Sequence, residues 1–157
     1  MTPNVRADAV VVFVLHTTGD DVRLLAIRRA RGAFVGSWTP VMGGVEEGEA
    51  ATAAARRELH EETGIAEARI ATAGILDVFY DPVRDRVIHV PFFVAYAESE
   101  TIAIDDAHDA FRWITFAEAA DLYTFGSHRN ALGELHHSFI ARMPEPWRWL
   151  SDTQPDV

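Results

Sequence analysis

At 157 residues the chain has the length of one ordinary globular domain, able to bury roughly two-thirds of its unfolded surface, and its 48% hydrophobic and 24% charged content is not that of a disordered chain. A balance of 24 acidic against 14 basic residues gives a formal charge of -10, which argues against a long nucleic acid lying across a broad surface. A small phosphate compound is still compatible, because local arginines or bound metal can reverse the field inside a cleft. There is no cysteine, so disulfides, thiolate zinc sites and cysteine nucleophiles are excluded by inventory.

Residues 9–15 form a valine-rich apolar run, expected to be a strand buried on both faces; it is too short to span a bilayer and has neither the basic start nor the cleavage site of a leader. The simplest expectation is a cytoplasmic protein with no membrane partner. Residues 17–21 supply a turn before a second strand over 22–27. A basic loop over 28–36 and a glycine-rich, acidic loop over 41–48 follow. The alanine-rich stretch from about residue 49 to 63 predicts a helix, stopped by Gly64 as a C-terminal cap. Residues 70–79 and 87–97 read as a hairpin turning at Asp81, Pro82 and Asp85. A strand over 110–115, a short helix over 116–122 and a closing helix over 128–142 complete the series, and the polar tail over 151–157 is expected to fray. No repeat or linker calls for a second domain, so one domain over 1–157 is expected.

On the helix over 49–63, at 100° per residue, Glu58, Glu61 and Glu62 fall within an arc of roughly 100°. Ala50, Ala51 and Ala54 lie on the same face, letting the first half of the helix pack closely while the second presents carboxylates; Arg56 and His60 point elsewhere. Three convergent carboxylates repel one another, and partial burial raises their pKa values unless a cation is supplied. Hard oxygen ligands suit Mg²⁺, with Mn²⁺ as an alternative, and Mg²⁺ shares its coordination with waters and substrate phosphates. The bland reading of a lone REXXEE string is a solvated charged face.

The spacing of the surrounding residues outweighs that reading. Residues 43–65 read GGVEEGEAATAAARRELHEETGI and resemble the Nudix box at nine positions: Gly43, Glu49, Arg57, Glu58, Leu59, Glu61, Glu62, Gly64 and Ile65. A chance match is on the order of once per billion starting positions. The resemblance implies an α/β fold, the Nudix α/β/α sandwich with a mixed β-sheet. It further implies metal held by Glu58, Glu61 and Glu62, a glycine loop bent over the helix start at Gly43, and an Arg57–Glu49 pair bracing the helix. The implied reaction is hydrolysis of a diphosphate linkage in a nucleotide-like small molecule, with metal neutralising phosphate charge and acidifying the attacking water.

Outside the box, the family often supplies a further acidic residue from a later loop as base or ligand. Here that stretch is IDDAHDAFRW, with Ala107 at the usual acidic position. Asp106 or Asp105 is expected to take the role, or a box glutamate acts instead; Glu61 and Glu62 are the candidates. Arg28, Arg29 and Arg31 are candidate phosphate contacts or ordinary surface charge, and Trp38 and Tyr80 are candidates for stacking on a base or for burial. Trp113 is expected in the core, and the seven histidines show no metal-ligand spacing.

The stretch SWTPVMGGVEEGE resembles the branch acting on deoxyadenosine triphosphate or dihydroneopterin triphosphate, releasing monophosphate and pyrophosphate. Tyr80 and Pro82 lie near family markers for dinucleoside polyphosphate and ADP-ribose substrates, the alternative. A non-catalytic nucleotide-binding module is a third reading, opposed by the intact carboxylates. The missing cysteine argues against the isoprenoid isomerase branch. Pro146, Trp147, Trp149 and Leu150 are expected to cap the core, with a homodimer contact as the alternative.

Overall fold

A run of seven apolar residues leaves neither face of a strand to water, and in the computed structural model, which describes residues 5–151, that run lies inside β1 (Ala9–Thr18) at the centre of the sheet. It is followed by β2 (Asp21–Arg29), β3 (Trp38–Thr39), β4 (Val41–Gly44), α1 (Ala51–Thr63), β5 (Arg69–Asp81), β6 (Arg86–Tyr96), β7 (His108–Ile114), α2 (Phe116–Leu122) and α3 (Gly126–Leu135). The sheet is mixed. β1 runs parallel to β6, with Val11 opposite Phe92, and every other pairing is antiparallel.

β2 pairs with β1 only from Leu15 to Thr18. Beyond Leu24 it turns its edges to β7 and β3, leaving residues 9–12 of β1 to pair with β4. The sheet therefore divides where β4 enters, and the helix that follows β4 starts at that division.

Alternation along β1 sends side chains to two cores, as a strand covered on both faces must. Val11, Phe13 and Leu15 pack with Ala119 of α2, Tyr123 at its C-cap, and Ala131 and Leu135 of α3. Val10, Val12 and Val14 pack with Ala54, Ala55 and Leu59 of α1. The result is three layers, helices on both faces of the sheet. The fully buried Tyr123 donates its hydroxyl hydrogen bond to the Leu25 carbonyl, tying α2 to β2 at 2.9 Å.

Several boundaries differ from the sequence reading. Residues 41–44 are a strand instead of loop, because their backbone completes the free edge of β1, and their glycines do not prevent it. The tight face of α1 is Ala54 and Ala55; Ala50 is the N-cap and Ala51 is half-buried. The last helix begins at Gly126 and ends its regular turns at Leu135, passing into a π-helical turn at His136–Ile140. The short helix α2 carries a full capping box, Thr115 with Glu118. Trp149 bridges to Ala71 on the edge of β5, and Leu150 packs on the α1-side core, while Trp147 is exposed. Trp113 is half-buried against that core, its indole N–H donating to the Glu100 carbonyl. The tail beyond residue 151 lies outside the described residues. No helix among those described is long and apolar enough to cross a membrane.

Ala54 has no exposed surface between α1 and the sheet. Ala54→Leu forces extra volume into that contact and is expected to destabilise the chain by about 1–3 kcal/mol. Urea unfolding checks it, and an unchanged midpoint would mean that α1 is not tightly seated.

Candidate active site

Arg57, in the middle of α1, holds the start of the site together. Its Nε and Nη2 donate to the two Glu49 carboxylate oxygens at 2.8 and 3.0 Å, and Nη2 also donates to the Gly44 carbonyl at 2.8 Å. Its Nη1 donates to Glu58 at 2.7 Å and to Glu61 at 3.2 Å. The planar guanidinium fork suits such a multidentate arrangement, which a lysine could not reproduce. Glu49 also accepts from the Glu46 backbone N–H, and the Arg57 hydrogen bonds, then that N–H, lower its pKa to about 2. Arg57 is correspondingly raised, chiefly by Glu49.

Gly43 comes so close to α1 that a Cβ there would overlap the Glu58 carboxylate. The glycine serves by what it lacks, since its backbone is ordinary β. At the other end of α1, Gly64 closes the helix in the left-handed region with φ 76°, and its N–H donates to the His60 carbonyl at 2.8 Å.

The three box carboxylates have different surroundings. Glu58 and Glu62 are buried, whereas Glu61 is half-exposed and turned to Arg57. Glu62 accepts from the Met42 backbone N–H at 3.2 Å. Burial, then the charge of Glu58, raises its pKa to about 8; Asp105 adds to the rise and Arg29 opposes it. Burial also raises Glu58, with Arg57 opposing. Among the described residues no three acidic or histidine side chains are drawn together as a metal cage. Arg57 instead supplies the countercharge between Glu58 and Glu61. Two buried carboxylates disfavoured in their charged form, with a third at the rim, form a hard oxygen donor set that a divalent cation fits.

Asp105 and His108 complete this end of the site. His108 lies opposite Arg29 in the β2–β7 pairing, at a bulge, and its ring Nδ1 is 2.6 Å from Asp105 Oδ1. His108 Nε2 and Arg29 Nε are buried without a hydrogen-bond partner. Asp105 thus has a fixed orientation and a charge felt by Glu62. Asp106 differs: its side chain is 81% exposed and pairs with Arg31 at 2.5 Å. The structure brings together Glu49, Arg57, Glu58, Glu61, Glu62 and Gly43, with Asp105 and Arg29 close enough to act on Glu62.

Arg28 and Trp38 are occupied in the fold. Arg28 donates to Asp109 at 2.7 Å and lies over the Trp38 ring, which Arg112 also covers, 4.8 Å from its centroid. Tyr80 stands on the β5–β6 hairpin and donates to Asp85 at 2.7 Å. His108 is the residue that sequence reasoning passed over; its place beside Ala107 in IDDAHDAFRW was the available sign.

Comparison with known proteins bears on the family and the fold. The family model described as NUDIX domain matches residues 5–135. The mouse protein named bis(5'-nucleosyl)-tetraphosphatase [asymmetrical] is 28% identical over 149 residues, covering 88% of this chain and 97% of the relative. Among solved structures, a Nudix hydrolase of Listeria monocytogenes superposes with a TM-score of 0.74 at 20% identity, over 85% of this chain and 94% of that one. The E. coli dihydroneopterin triphosphate pyrophosphohydrolase gives 0.68 at 23% identity, over 82% and 96%. With its box, its layered fold and a family match over most of its length, the chain belongs to the Nudix family and is a Nudix hydrolase.

Proposed function

We propose that the chain hydrolyses a phosphoanhydride in a dinucleoside polyphosphate, with Mg²⁺ as the metal and Mn²⁺ as a substitute. The observation that carries the chemistry is the pair of buried carboxylates, Glu58 and Glu62, beside Arg57 and Gly43. The substrate class is supported by the near full-length relative named for asymmetrical tetraphosphate cleavage. A nucleoside triphosphate of the deoxyadenosine or dihydroneopterin type is the second reading, favoured by the segment Trp38, Thr39, Pro40, Val41 that leads into the box.

Metal bound by Glu58, Glu61 and Glu62 would neutralise phosphate charge and make bound water more acidic. The chain's own residues do the rest. Arg57 fixes Glu58 and Glu61 through one nitrogen, so that their oxygens do not have to be ordered during turnover. Gly43 leaves room for Glu58 beneath the β4 strand. Arg29, close enough to Glu62 for its charge to act there, is the arginine we assign to a substrate phosphate. In the reaction, a water oxygen bonds to phosphorus, the bridging P–O bond breaks, and the water proton passes to a carboxylate. Glu62 is the candidate to accept it whenever it is not itself coordinating the metal, since in the metal-free chain burial raises its proton affinity to a pKa of about 8. Asp105 sustains that affinity by its charge, with His108 fixing its orientation.

Glu62→Gln keeps the shape of the side chain and removes the proton acceptor. Turnover on a panel of dinucleoside tetraphosphate, nucleoside triphosphates and ADP-ribose with Mg²⁺ is expected to fall by about 10²-fold or more. A wild-type chain that binds these compounds without cleaving any would sink the catalytic reading, and cleavage of triphosphates alone would select the second substrate class.

Asp105→Asn is expected to reduce kcat about 10-fold and to move the acidic limb of the pH–rate profile to lower pH, since it removes a negative charge that raises Glu62. Asp106→Asn, at an exposed ion pair, is expected to leave both within about 2-fold. The opposite ranking would assign the loop role to Asp106.

In the metal-free chain Glu62 also links stability to pH. Its folded pKa lies above the unfolded carboxylate value, so its favourable contribution is complete below about pH 4 and is lost as pH rises through about 8. Glu62→Gln is therefore expected to be the more stable protein above pH 8, by on the order of a few kcal/mol. Thermal melts of both proteins in chelator across that window check the sign.

A further inference from the structure

The turn from β2 to β3 presents an aromatic ring to water at a backbone cost. Phe34 has φ 61°, in the left-handed region, where a bulky residue is an outlier because its Cβ crowds the carbonyl oxygen that follows. Burial does not offset that cost: Phe34 is 66% exposed, and Val35 beside it is 64% exposed. The ring meets Phe125, at the start of α3, edge-to-face with 5.1 Å between centroids, a contact that leaves a face of the Phe34 ring open.

The conformation is nevertheless held firmly. The Phe34 carbonyl accepts from both the backbone N–H and the hydroxyl of Ser37, a buried residue. Arg29 closes the foot of the loop: its N–H donates to the Ser37 carbonyl, and its own carbonyl accepts from the Gly36 N–H. Strain of this kind persists where the surrounding structure over-determines it, and it gathers at ligand contacts.

The loop stands beside the site. Phe34 is two residues from Gly36, so its Cα lies within about 7 Å of the residue bonded to Arg29, the arginine assigned to a substrate phosphate. The loop is also tied to the segment that carries Asp105: the Ala30 N–H donates to the Ala107 carbonyl, and Arg31 pairs with Asp106. A polyphosphate held by Arg29 and the box carboxylates therefore has an open aromatic ring near one of its ends. The two aromatic side chains that the sequence offered for a base are engaged elsewhere, Trp38 with Arg28 and Arg112, and Tyr80 with Asp85.

We propose that Phe34 is the stacking surface for a base of the substrate, and so a specificity-determining residue for nucleotides over bare polyphosphate; this rests on the nucleotide reading proposed above. The side chains of Phe34 and Val35 carry no hydrogen-bonding atom, and stacking needs none, because every base has a π-face. Phe34 therefore separates compounds with a base from those without one and does not choose among bases. Because the loop is already fixed, the ring does not have to be ordered on binding, and its contribution falls on KM.

Steady-state kinetics with Mg²⁺ on the adenine and guanine dinucleoside tetraphosphates, with inorganic tripolyphosphate as a base-free competitive inhibitor, test it. Phe34→Ala is expected to raise KM about 10-fold for both dinucleotides, with kcat within about 2-fold and inhibition by tripolyphosphate unchanged, and Phe34→Trp to keep the wild-type KM. Thermal melts separate this from a packing role: Phe34→Gly is expected to melt no lower than the wild type, because glycine is at ease in the left-handed region. An unchanged KM in Phe34→Ala, an equal loss of tripolyphosphate inhibition, a Phe34→Trp protein no better than Phe34→Ala, or a Phe34→Gly protein that melts well below the wild type overturns the proposal. Should the wild type turn over none of these compounds, the hydrolysis reading fails by itself, and calorimetry of the adenine dinucleotide decides this one. Binding about 10-fold weaker in Phe34→Ala then supports it, and equal affinity overturns it.

Discussion

One guanidinium carries the architecture of the site. Arg57 takes two bonds to Glu49, one to the Gly44 carbonyl and one each to Glu58 and Glu61, so the loop before α1, the strand β4 and the helix itself are referred to a single planar group. The arrangement answers an electrostatic problem. Carboxylates gathered for a cation repel one another when the cation is away, and a fixed positive charge among them reduces that repulsion at Glu58 and Glu61. Glu62 is left out of the fork, and burial raises its proton affinity with no arginine bonded to its carboxylate.

The division of the sheet supplies the place. Because β2 leaves β1 after a few residues, β4 can pair with the N-terminal half of β1 and deliver Gly43 directly beneath α1. Ala54 and Ala55 then seat the first turns of the helix on the sheet, and the same face one and two turns later carries Glu58 and Glu62. Small side chains and carboxylates thus do complementary work along one stripe. The alanines bring the helix down, and the missing side chain at residue 43 keeps it from resting on Glu58.

Much of this was legible from the sequence, and for identifiable reasons. The valine run, the capping glycine at 64 and the box spacing are local patterns, each set by residues within a few turns of one another. The residue types of the Arg57–Glu49 pair were readable from its spacing in the box. What was not legible depends on strands meeting from distant parts of the chain. β4 appeared as loop because glycine-rich residues become strand only when β1 offers them an edge. Trp38 read as either a stacking surface or a buried ring, and its ring is covered by Arg28 and by Arg112, which lies 74 positions along the chain and arrives through the β2–β7 pairing. The end of α3 was blurred because the apolar period continues through the π-helical turn that follows it.

Ala107 is where local reading and fold diverge most usefully. A missing acid at that position removes one carboxylate from the loop, yet the backbone there remains committed: the Ala107 carbonyl accepts from the Ala30 N–H at 2.8 Å, at the bulge between β2 and β7. That bond holds the loop against the end of β2 whatever side chain residue 107 carries. With the backbone anchored, the buried His108 ring can hold Asp105, three positions earlier, in one orientation. Two neighbouring aspartates that look interchangeable in the sequence thereby become different groups. Asp106 faces solvent and Arg31, while the charge of Asp105 reaches the buried Glu62. The difference arises from a histidine contact and a strand bulge, neither of which changes the composition of the loop. A loop of this kind can lose its usual acid and still present a carboxylate to the site, provided the anchoring backbone bond and the histidine are kept.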